Sequence, residues 1–161
     1  MRTQSPWISE GLVAGLMGYV TVVILFGFIN LASGEALFHT AALLGSALFF
    51  GTRAAVDVVA GPAPIIAYNG VHILASLIVG LGAAWLIFQT EKNRPLWFIV
   101  FFIFLAGFIL SLAVMGILAA EVVHLIPWSL ILVANVGAGF TAGGYLWWRH
   151  SRLLVELAAG E

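Results

Sequence analysis

The chain has 161 residues, 63% of them hydrophobic and only 8% charged, with a formal net charge of −1 at pH 7. A soluble domain of this size needs a far more polar surface, so lipid is the expected solvent for most of the chain. The near-neutral charge argues against a broad basic face for nucleic acid. The absence of cysteine excludes disulfides, thiolate-held iron–sulfur clusters and C-x-x-C-H haem attachment.

Four apolar runs order the sequence, at 11–32, 65–88, 96–120 and 130–148. A hydrocarbon core of about 30 Å takes about 20 helical residues, and all four runs approach or exceed that length. Backbone groups in lipid must be satisfied within their own segment, and the alternation of a membrane barrel is absent, so helices are expected. The expected fold is an all-α integral membrane protein. It is read as one membrane domain over 1–161, a four-transmembrane-helix bundle with spans at about 8–32, 64–89, 96–121 and 128–149.

The first run is longer than the core of a secretory signal and has no small-x-small site closing it, so it is expected to be retained. Ser5 and Pro6 suit its cap and first turn. Beyond it, Thr40 suits the cap of a short helix at about 41–51, too short to cross and expected to lie at the interface or re-enter. Gly61-Pro62-Ala63-Pro64 breaks the chain before the second span, and Pro95 and Pro127 suit the starts of the third and fourth. After Trp148, a tail with Arg149, His150, Arg152 and Glu156 reads as a helical extension into water.

Alternating directions place Arg2, Lys92, Arg94, Arg149 and Arg152 on one side and Arg53 alone on the other. By the positive-inside rule, both termini are expected in the cytoplasm, with the chain multi-pass in a bacterial-type inner (plasma) membrane. Trp7, Trp85, Trp97, Trp147 and Trp148 then fall near the cytoplasmic interface and Trp128 near the outer one.

Gly11 with Gly15, Ala14 with Gly18, and Gly139 with Gly143 are small-xxx-small pairs that let helices approach closely, within a protomer or between protomers. His72, Ser76, Gly80 and Ala84 in the second span match Asn135, Gly139, Gly143 and Trp147 in the fourth, each at intervals of four. The match suggests two helical hairpins repeated about an axis along the membrane normal.

An ionisable group at mid-bilayer costs at least about 2.5 kcal/mol, so the few near the hydrocarbon are the candidates for chemistry. His72 is the deepest; Tyr68 and Asn69 share its helix face, and the three form a candidate cofactor-binding stripe that continues into Ser76. Glu121 and His124 close the third span at i and i+3, while Glu35 and His39 stand at i and i+4 on the same expected side, with Asp57. Imidazole and carboxylate are ligands for zinc, copper or iron, which makes Glu35, His39, His72, Glu121 and His124 the candidates for a single metal ion. Glu-x-x-His is half of a di-iron bundle pattern, but the second half is missing. A bis-histidine haem needs a second ring facing His72. A short proton or quinol path through His72 and Glu121 is a further reading. The plainer reading leaves the outer acids and imidazoles in water and His72 bonded to Asn69, Tyr68 or a neighbouring helix. Glu10 reads as an interfacial charge.

Neither a Gly-x-Ser-x-Gly turn nor a phosphate-cradling loop occurs. Three functions stay open. The first, which the sequence favours, is a subunit or partner of a larger membrane complex, such as a respiratory or other energy-converting complex, without catalytic activity alone. The second is a metal, haem or quinone-binding redox protein, and the third a small oligomeric channel or transporter with Asn30, His72, Asn135 and Thr141 along its path. The expected partners are the lipid bilayer and either other membrane subunits or copies of the chain itself. His72→Ala is expected to perturb assembly more than His150→Ala, on the reading that only His72 lies within the bundle.

Overall fold

The computed structural model describes residues 6–51, 61–93 and 126–150, with isolated positions at 96, 98, 102, 109, 113 and 117. The continuous stretches form α1 (Pro6–Ala32), α2 (His39–Phe50), α3 (Pro62–Lys92) and α4 (Trp128–Arg149), with no strand among the described residues. The protein is thus all-helical in these parts, and α1, α3 and α4 are long and apolar enough to cross a membrane. Their outward surfaces fit that solvent: Phe28 on α1 is 72% exposed and Phe140 on α4 77%, a burden that water would penalise and acyl chains do not. Arg53, Asp57, Glu121, His124, most of the span expected at 96–121 and the tail beyond His150 lie outside the described residues.

Local chemistry sets the ends of these helices. Gly61, at a φ of 115° open only to glycine, turns the chain into α3, and Pro62 takes the first helical position, where a missing N–H costs nothing. Gly51 closes α2 in the left-handed conformation and donates its N–H to the Ser46 carbonyl. Thr40 does not cap α2, as the sequence suggested; the cap position is Phe38, which makes no side-chain cap bond. The Thr40 hydroxyl instead donates to Asn30 Oδ1 at 2.7 Å, and Asn30 Nδ2 donates to the Leu37 carbonyl at 3.0 Å. Asn30 therefore folds the chain from α1 into α2 with its own amide.

α1 is the centre of the arrangement, packed along α3 on one side and α4 on the other. A Cβ on Gly11 would stand 2.7 Å from Leu81 Cα, and one on Gly80 would strike the backbone of Gly11 and Gly15. α1 and α3 thus cross backbone to backbone, Gly11 and Gly15 against Ser76, Gly80 and Leu81, and these pairings run antiparallel. Ala14 and Ala84, both fully buried, continue the seam with Ala83 and Leu146. Gly45 of α2 meets Pro64 of α3 just as closely. Against α4, α1 pairs Gly18 with Ala138 and Ala142, and Thr21 Oγ1 lies 2.9 Å from Thr141 Oγ1. This contact is antiparallel too, so α3 and α4 run in the same direction.

Of the small-residue pairs, Gly11 with Gly15 packs within the protomer. Gly139 and Gly143 behave differently, since a Cβ on either would meet nothing within 4 Å among the described residues.

Candidate functional site

The polar stripe of α3 lies where α1, α2 and α3 meet. Tyr68, Asn69 and His72 line a half-open cavity of about 30 Å³ together with Phe26 and Asn30 of α1 and Thr40 of α2. Tyr19 on α1 completes the cluster. Its hydroxyl donates to Asn69 Oδ1 at 2.9 Å, and its ring meets His72 edge-on at 5.5 Å. Asn69 Nδ2 donates to the Ile65 carbonyl at 2.8 Å, so both ends of this amide are engaged inside an apolar setting. His72 Nδ1 lies 3.3 Å from the Tyr68 hydroxyl.

Here the structure brings together three of the residues singled out in the sequence and adds partners that were missed. Tyr19 was not anticipated, although it stands four residues after Gly15 and so on the face that meets the second span. Asn30 and His72, both placed on a path, do share this cavity, but Asn135 and Thr141 do not line it. Asn135 Nδ2 bonds back to the Ile131 carbonyl, and Thr141 lies on the seam between α1 and α4.

Glu35 and His39 approach at 3.4 Å across the α1–α2 turn, with the Glu35 side chain about half exposed and that of His39 partly buried. Neither lines the cavity that holds His72. The described residues contain no group of three metal-ligating side chains, and Glu121 and His124 lie outside them.

At the opposite end of the bundle, the first turns of α1 meet the last turn of α4. Glu10, read from sequence as an interfacial charge, is only 6% exposed. Its carboxylate accepts from Arg149 at 3.0–3.1 Å through Oε1 and lies 2.8 Å from His150 Nε2 through Oε2. Arg149 also places its charge at the negative end of the α4 dipole. His150 is largely buried in this contact, which corrects the expectation that it lies free of the bundle. Sequence spacing gave no sign of the cluster because its members stand about 140 residues apart.

Among the described residues, these features define a class, an all-helical arrangement with helices long and apolar enough to cross a membrane, a polar aromatic cavity and an ion-paired end. Comparison with protein-family models, with curated proteins and with solved structures finds no match to this chain.

Proposed function

We propose that the chain is an integral membrane subunit or partner of a larger membrane complex, without catalytic activity alone, and that α4 carries the docking face. The observation behind this reading is the unfilled stripe of Gly139 and Gly143, which opens on the outside of α4 with Asn135 above it and exposed Trp147 below. Lipid tails are as apolar as leucine and gain nothing from glycine, whereas a neighbouring helix gains close backbone approach. Asn135 adds a polar anchor, for Oδ1 accepts no hydrogen bond among the described residues.

A fourth span between α3 and α4 belongs to the same reading. α3 ends beside the start of α1, and α4 begins at the other end, where Ile126 packs on Leu43, Leu44 and Tyr68. Asn93 and Ile126 therefore stand at opposite ends of the bundle. Between the two, helical positions recur, among them Phe98, Phe102, Ile109 and Ile117, all exposed. The parallel course of α3 and α4 is the relation expected of two repeated hairpins. Lys92 and Arg149 lie at the end where α1 begins, which favours cytoplasmic termini in a bacterial-type inner membrane.

The test is purification in gentle detergent of the wild type and of a Gly139→Leu, Gly143→Leu variant. The variant is expected to keep its helical content and lose a partner of different mass that the wild type retains. Wild-type protein that purifies alone, at the mass of a single chain, would refute the reading. A ladder of identical masses would assign α4 to self-association instead.

A further inference from the structure

Among the described residues, every buried side-chain nitrogen and oxygen has a hydrogen-bond partner. His72 Nε2 finds no partner among them: Nδ1 stands 3.3 Å from the Tyr68 hydroxyl, and the ring meets Tyr19 and Tyr68 edge-on. Nε2 is therefore not sealed in protein, and the polar-lined space bordering His72 is the cavity between α1, α2 and α3. We propose that this cavity is a hydrated, one-ended pocket. Water in it bonds His72 Nε2 and exchanges with the aqueous phase on the side of the membrane where α2 lies, and not with the opposite side.

Size selects the occupant. One water needs about 10–15 Å³ of such space and two to four polar partners. The cavity offers about 30 Å³, enough for one or two waters and too little for a quinone ring or a haem. Besides Nε2, the Tyr68 hydroxyl and the Thr40 hydroxyl have lone pairs to give, and both residues line the space. Asn30 and Asn69 also line the space with amides already engaged, and Val22, Val23, Phe26 and Leu37 make the wall otherwise apolar, which favours a few localised waters over a continuous column.

Geometry also sets the direction. Toward the α1–α2 turn the lining ends in Leu37 and Phe38, both exposed. The other way, the Tyr19 hydroxyl is tied to Asn69, and beyond it a Cβ on Gly15 would stand 2.8 Å from Leu77 Cα. Backbones in direct contact leave no room for water, and Ala14 and Ala84 extend that closure. Among the described residues, the route from the imidazole to water therefore runs through the α2 side. This pocket is independent of docking at α4.

The chain has no cysteine, so single cysteines can be read without background in the full-length protein reconstituted in liposomes. Ag⁺ is the probe, and the readout is loss of later maleimide labelling after denaturation. Thr40→Cys and His72→Cys are expected to be blocked by Ag⁺ from the α2 side only, while Ser76→Cys and the outward-facing Val79→Cys remain free from both sides. Failure to block position 72 from the α2 side, or blocking it from the opposite side as well, would overturn the proposal. As a check without substitution at the site, histidine-labelled wild type is examined by water-edited nitrogen-15 NMR, with His72→Gln used only for assignment. Magnetisation transfer from water to the His72 ring is expected, and its absence would likewise overturn the proposal.

Discussion

Gly80 and Gly143 are both glycines inside helices long and apolar enough to cross a membrane, yet they answer to different neighbours. A methyl on Gly80 would run into the backbone of Gly11 and Gly15, which cannot turn aside as a flexible side chain can. Gly80→Ala is expected to lower stability by about 1–3 kcal/mol, the usual cost of overfilling a tight contact. Gly143→Ala, with open space at its Cβ, is expected to stay within about 0.5 kcal/mol of wild type. Unfolding titrations in mixed detergent micelles measure both, and equal effects would contradict the packing described here. Tyr19→Phe removes one bond to Asn69, beside the cavity, without leaving a void. Its expected cost is about 0.6 kcal/mol, the average for hydrogen bonds between membrane helices. A loss several times larger would mean that Tyr19 supports more than Asn69.

The seam between α1 and α4 is held at one end by charge and near its middle by Thr21 and Thr141. Glu10 is buried while Arg149 is about half exposed, so solvent screens the arginine's share and the carboxylate is the member whose loss matters most. Glu10→Ala is expected to cost about 1.5–3 kcal/mol, the range for hydrogen bonds to charged groups. His150→Ala is expected to loosen the same end and is not a silent control for His72→Ala. Hydrogen exchange of the α4 backbone distinguishes these cases: faster exchange in the last turn for both variants is the expected result, and unchanged exchange in Glu10→Ala would contradict the role given to the ion pair.

How far the sequence could be read follows from the range of each interaction. Helical character and membrane-crossing length come from composition along the chain, which is why α1, α3 and α4 were visible as apolar runs. The shared face of Tyr68, Asn69 and His72 follows from helical spacing alone. The rest depends on contacts between distant segments: Tyr19 reaching Asn69, Thr40 turning to Asn30 instead of capping α2, and Glu10 drawing in Arg149 and His150. A local rule assigned Thr40 to its own helix end and Glu10 to the interface, and a tertiary partner claimed each instead, while Tyr19 carried no local assignment. The glycine stripes show the same limit, since spacing gave Gly11 with Gly15 and Gly139 with Gly143 one meaning, and packing gave them two.

The proposed docking face of α4 is the stripe of Gly139 and Gly143, open at Cβ among the described residues. A photo-cross-linking amino acid placed at position 143 and activated in native membranes tests that most directly. The account expects a discrete adduct with a second polypeptide, lost when the probe is moved to position 79 on the outward face of α3. Adducts with lipid only, at both positions, would contradict it.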